Sequence, residues 1–157
     1  MKQLVVLLFA FFQLFSFSQK TDSVFKDLDV FDLQYVSNPQ ISPDGSVIIY
    51  RRMSFDILKD RSIGNLWIIN SDGTNHQKLT SIESSEYGAV WSPSGDRLAF
   101  VSSTEQGPEI YIYWNNSAKY ARISQLNGSP SNLAWSLNGE NLAFTMKVKT
   151  SPPVLVK

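Results

Sequence analysis

The chain has 157 residues, 43% hydrophobic and 13% aromatic, and its 14 basic and 14 acidic side chains cancel. That composition is globular, and a zero charge balance gives no electrostatic reason to expect nucleic acid or an anionic membrane surface as partner. With no cysteine, disulfides, thiolate metal sites, a cysteine nucleophile and a lipid-modified N-terminal cysteine are excluded.

Residues 1–18 read as a secretory leader. Lys2 supplies a positive start, "LVVLLFAFFQLF" (Leu4 to Phe15) is apolar except for Gln13, and Ser16 and Ser18 place small residues before a cut at Gln19. The apolar stretch is shorter than the roughly 20 residues a spanning helix needs, so no stable membrane anchor is expected. The expectation is export to a bacterial periplasm or the exterior, which suits a chain that needs no oxidative folding.

A lead-in segment (19–36) precedes a phrase that the chain writes three times. "QISPDGSVIIY" begins at Gln40, "VWSPSGDRLAF" at Val90 and "AWSLNGENLAF" at Ala134. Further on, "LWIINSDGTNHQKLT" (Leu66 to Thr80) aligns without a gap on "IYIYWNNSAKYARIS" (Ile110 to Ser124), 44 positions later. The first interval is longer because "RRMSFDILKDRSIG" (Arg51 to Gly64) carries about six extra residues, read as an excursion. A period of 40 to 50 residues marks a repeat architecture. The units are 37–80, 86–124 and a partial one, 131–157.

Each unit contains short strand-like runs rich in Val, Ile, Tyr, Trp and Phe, bounded by turn residues. In the second unit they are Gly88–Trp91, Arg97–Ser102, Glu109–Trp114 and Tyr120–Ser124; in the third, Leu133–Trp135 and Asn141–Lys147. Pro43 and Pro93 set φ for the first corner of a turn. Gly45, Gly95 and Gly139 supply the positive φ that lets the strand turn back. Trp91 and Trp135, with Ile41 in the first unit, end the innermost strand, where a large side chain fills the wedge between neighbouring sheets. "NSDGT" (Asn70 to Thr74) reads as a hairpin between the third and fourth strands. Four antiparallel strands per unit at this period describe a blade of a β-propeller. The fold class expected is all-β, an incomplete propeller of about two and a half blades. Pro152 and Pro153 cannot extend a central strand, and the chain reads as the N-terminal piece of a longer protein.

The phrase W-S-P-x-G-x-x-L-A-F followed by L-W-I-I-N-S-D-G-T resembles the repeat of TolB-like propellers. "VFDLQYVSNPQISPDGSVIIYRR" and "FDILKDRSIGNLWIINSDGTNHQKLT" look more particularly like the opening of the propeller in exported prolyl oligopeptidase family serine peptidases. The likeness is to the acylaminoacyl-peptidase branch, with "DVFDL" (Asp29 to Leu33) as the lead-in and Arg51, Arg52 and Arg61 on the excursion. The resemblance implies a propeller that gates or binds peptide substrates for a following α/β-hydrolase domain, the partner of this segment. The alternative is a non-enzymatic TolB-like periplasmic propeller that binds protein partners.

Hydrolysis on that fold needs a serine on a G-x-S-x-G elbow, a histidine and an acid. No such elbow occurs, and the only histidine is His76, read as a solvated edge residue. No catalytic residue is therefore assigned, and the chain alone is expected to be inactive. A single histidine without cysteine makes a zinc site implausible, no phosphate-binding or dinucleotide motif occurs, and no cofactor is expected. Arg51, Arg52 and Arg61 form the one cluster that could recognise a peptide carboxylate; interdomain salt bridges or a solvated loop are the other readings.

Overall fold

Alternating apolar residues in each repeat do form strands. A computed structural model describes residues 25–148; the leader and the Pro152–Pro153 stretch lie outside them. After a short 3₁₀ helix at Asp27–Asp32 the chain forms β1 (Tyr35–Ile41), β2 (Val47–Asp56), β3 (Arg61–Asn70) and β4 (Gln77–Lys78). β5 (Ser85–Trp91), β6 (Arg97–Thr104), β7 (Gly107–Trp114) and β8 (Lys119–Arg122) follow, then β9 (Pro130–Trp135) and β10 (Leu142–Met146). They make two four-stranded antiparallel meanders, β1-β2-β3-β4 and β5-β6-β7-β8, and a two-stranded sheet, β9-β10.

Two details differ from the expectation. The extra residues of the first unit are no excursion: β2 and β3 run ten residues each, in register from Val47↔Asn70 to Asp56↔Arg61. They lengthen a hairpin whose counterpart, β6–β7, has strands of eight. Strand β5 starts at Ser85 rather than Gly88, because Gly88 (φ +63) sits within it as a bulge. The register shifts between Tyr87 and Val90 there, and between Ser37 and Gln40 in β1, where Asn38 has φ +50. In the third unit Asn132 (φ +52) lies at the matching shift. A glycine inside a strand is thus a repeated bulge position, not a boundary.

The sheets stack face to face. Ile49, Leu66 and Ile68 of the first pack on Leu98, Phe100 and Tyr113 of the second, with Trp91 half-buried against them. The opposite face of the second sheet, Ala99, Val101, Ile110 and Ile112, packs on Leu133, Trp135 and Leu142 of the third. The Trp135 indole Nε1 also donates to the Val90 carbonyl at 3.1 Å. Trp91 Nε1 is buried without an acceptor.

The recurring serine does more than the proline and glycine suggest. In the first turn Ser42 Oγ accepts from Val47 N (2.9 Å) and donates to Asp44 (2.5 Å), while Gly45 N closes the turn on the Ser42 carbonyl (2.8 Å). Ser92 repeats this with Arg97 N (3.0 Å) and Asp96 (2.8 Å), and Ser136 with Asn141 N (2.9 Å) and Asn138 (2.6 Å). These hydroxyl bonds hold the Asp44 and Asp96 carboxyls at about 2, below their ordinary value. Successive turns also nest. A Cβ on Gly95 would lie 3.2 Å from the Pro43 ring, and one on Gly139 would lie 3.6 Å from Pro93. Arg97 bridges the second and third turns, donating to the Gly139 carbonyl at 2.9 Å with its guanidinium 5.0 Å from the Trp135 ring.

A buried carboxylate ties the first sheet to the second. Glu86 on β5 is fully buried and accepts from Leu66 N (2.9 Å) and the Thr80 hydroxyl. In the second sheet Glu109 accepts from the Ser124 hydroxyl and from Leu126 N (3.0 Å). Burial raises the Glu86 carboxyl above the ordinary glutamate range.

Three outcomes follow. Replacing Ser92 with Ala leaves the Arg97 amide without its partner and should lower unfolding free energy by about 1–3 kcal/mol in urea titrations. Trp91→Phe, which removes an unpaired N–H, should be nearly neutral, whereas Trp91→Ala should cost about 3–5 kcal/mol; Trp135→Phe, losing a bond, should cost more than Trp91→Phe. The folded state keeps the Glu86 proton where the unfolded chain has released it, so this group's contribution is full at low pH and falls as pH rises above the ordinary glutamate range. Glu86→Gln keeps an acceptor for Leu66 N and turns the Thr80 contact round, its amide donating to the hydroxyl, and should remove that fall from the pH profile of the melting temperature.

Candidate functional site

The three arginines do not form one cluster. Arg51 and Arg52 are neighbours on β2, and side chains alternate across a strand, so they point to opposite faces of the first sheet. Arg52 lies on the face away from the second sheet, with its guanidinium 4.7 Å from the Trp67 ring and Nε donating to Gln34 at 2.6 Å. Arg61 opens β3 at the tip of the long hairpin and is exposed. Arg51 points between the first two sheets.

On the Arg52 face, His76 is exposed, hydrogen-bonds the Tyr50 hydroxyl and sits 5.1 Å from the Trp67 ring centroid. Among the described residues neither a carboxylate nor a serine hydrogen-bonds it. Among the described residues no three His, Cys, Asp or Glu side chains come together to hold a metal ion.

Two openings separate the first and second sheets. The wider, about 710 Å³, lies between the β2–β3 and β6–β7 hairpins and brings Asp56, Glu83 and Glu105 near Lys59, Arg61 and Lys78. Its charges balance, and its walls are solvated hairpin tips. The narrower, about 280 Å³, lies between β1 and β5 at their two bulges. Arg51 is the only charged residue on its wall, beside Asn38, Gln40, Leu66, Tyr87 and Ala89. Arg51 Nη2 donates to Ser85 Oγ at 3.0 Å, and the guanidinium stands 6.0 Å from the Tyr87 ring centroid. Burial pushes the Arg51 guanidinium down from its ordinary value and the Tyr87 phenol up. The inner-strand edge, not the excursion tip, therefore carries the chemically distinct feature. The bulges and Tyr87 that shape it are invisible to a motif search, although Asn38 and Gly88 at matching repeat positions are a readable signal.

No family model matches the sequence. The chain is 34% identical over 71 residues to dipeptidyl-peptidase 5 of Porphyromonas gingivalis, covering 45% of this chain and 10% of that protein. It is 31% identical over 85 residues to the uncharacterized peptidase YuxL of Bacillus subtilis, covering 54% and 13%. The chain thus spans about a tenth of the length of the curated relatives it matches. Its fold is shared with Pyrococcus horikoshii acylaminoacyl peptidase (TM-score 0.63, 15% identity, 82% of this chain and 20% of that one). It is shared too with the β-propeller domain of the Trilobed protease from Pyrococcus furiosus (TM-score 0.56, 18% identity, 71% and 33%). The sequence relatives are peptidases, and the stacked antiparallel sheets share the fold of a protease's β-propeller domain.

Proposed function

We propose that the chain is the N-terminal propeller portion of an exported serine peptidase, with two complete blades and the opening half of a third. In the whole protein it would gate or bind peptides for a C-terminal α/β-hydrolase domain. One observation carries the reading: two relatives above 30% identity are peptidases. That favours an enzyme's propeller over a periplasmic propeller that only binds proteins. Ile41 is 65% exposed in the position where Trp91 and Trp135 pack between sheets, which supports a first sheet whose outer face is covered by a later blade of the ring.

The full-length protein should react with a fluorophosphonate at a serine outside residues 1–157, and its mature N-terminus should be Gln19 by mass spectrometry of the exported fraction. The polypeptide 19–157 alone should turn over neither peptide amides nor blocked aminoacyl substrates, and light scattering should show it associating at micromolar concentration. Turnover by 19–157 that is abolished by a substitution within it would overturn the proposal.

A further inference from the structure

The repeat itself marks Arg51 as a departure. Arg51 pairs across the ladder with Leu66, and in the second sheet Val101 pairs with Ile110. Leu66 and Ile110 are equivalent positions of the repeat, so Arg51 stands where the second sheet has a valine. Val101 is fully buried in the core between the second and third sheets. One sheet earlier the same site holds a cation.

The surroundings are adapted to it. Gly64 is buried, and a Cβ there would fall 2.3 Å from Arg51 Nε and 2.7 Å from Cζ. Only glycine leaves room for the guanidinium as it lies; the equivalent residue beside Val101 is Pro108. Ser85 Oγ, which accepts from Arg51, also accepts from Gly64 N at 3.3 Å. Yet the guanidinium is not satisfied. Of its five N–H donors, Nη2 has Ser85, while Nε is buried with no partner. Among the described residues no carboxylate lies within 4.0 Å of it. A half-buried guanidinium with its Nε shut from water and no counter-charge beside it carries a desolvation cost, and a valine would remove it.

We propose that Arg51 and the cavity between β1 and β5 form a carboxylate site, and that its occupant is the C-terminal carboxylate of a peptide. Guanidinium meets carboxylate in a two-pronged pair of charge-assisted bonds, and among the described residues Ser85 is the one acceptor this guanidinium has, which leaves N–H donors of its two Nη groups for a ligand. Arg51 is the sole charge on the wall, so nothing there repels an anion. A volume of about 280 Å³ suits one terminal residue, with Pro39, Leu66 and Tyr87 offering apolar contact to its side chain. That the anion belongs to a peptide rests on the peptidase reading; the anion site itself rests on Arg51, Gly64 and the cavity.

The test uses full-length protein treated with a fluorophosphonate and titrated by calorimetry at low salt. The probes are acetyl-Ala-Ala as free acid, the same dipeptide as C-terminal amide, and inorganic phosphate. The free acid should bind more tightly than the amide by roughly tenfold or more, as expected from losing a charge-assisted bidentate pair. Arg51→Val and Arg51→Gln should abolish the difference, and Arg51→Lys should retain only part of it. Arg51→Val should melt no lower than the parent, since valine is the residue the repeat accommodates. Equal binding of acid and amide, or binding of neither, would overturn the site. Phosphate binding as tightly as the free acid would overturn the peptide assignment. A lower melting temperature in Arg51→Val with discrimination intact would make Arg51 purely structural. Calorimetry reads binding and not turnover, so failure of the peptidase reading would show as absent fluorophosphonate labelling while acid–amide discrimination persisted.

Discussion

Leu98, Ala99, Phe100 and Val101 are consecutive, and all four are fully buried. In a strand their side chains alternate, so Leu98 and Phe100 face the first sheet while Ala99 and Val101 face the third. A four-stranded meander has two faces and cannot cover either alone. Burying a Leu, Val or Phe contributes about 1.5–3 kcal/mol, and a sheet apolar on both sides gains it only between two neighbours. The need to sandwich each sheet is the constraint on which the repeat depends. It explains why the same phrase recurs: each copy must present one face that fits the preceding copy and another that fits the next.

The turns transmit that fit along the array. Each buried serine hydroxyl fixes the backbone five residues on and gathers the turn's Asp or Asn side chain. The turn is therefore rigid before it meets its neighbour. Glycine at the following position leaves no Cβ, and the previous turn's proline fills the space. Positive φ and close approach are then required of the same residue at Gly95 and Gly139. Glu86 and Glu109 secure the opposite margin through the hydroxyls of Thr80 and Ser124, residues that align with each other in the repeat. The cavity beside Arg51 and Tyr87 lies between these two sheets.

The architecture was legible because the short apolar, β-prone runs in "RLAFVSS" and "EIYIYW" and the "SPDG" and "SPSG" turns that bound them are local signals. Packing of Trp91 and Trp135 between neighbouring sheets was readable from their recurrence. What sequence reading missed was long-range or subtle. A ten-residue ladder across Arg51–Gly64 looks like a loop when composition mixes charges with Gly, and only pairing reveals it. Gly88 looked like a boundary because a bulge and a turn use the same residue. The three arginines looked like a cluster because adjacency in sequence suggests proximity, whereas one residue along a strand means the opposite face. The repeat sets Arg51 opposite Val101 in sequence as well as in the ladder, but only the structure shows what surrounds it.

The nesting of proline over glycine has a direction. The first and second turns each offer a proline ring to the copy after, and the second and third each accept one from the copy before, so the two ends of the stack are unlike surfaces. At the first turn a Cβ on Gly45 would meet nothing within 4 Å, and at the last Leu137 replaces the proline and is 97% exposed. Such head-to-tail contacts are heterologous: a two-fold pairing would set like against like and leave both features unmatched. Only further rotation in the same sense can match one end to the other, and its products are a closed ring or an open fibre. Which of the two forms is decided by the angle between successive sheets, a property carried by side chains no larger than a proline and a glycine.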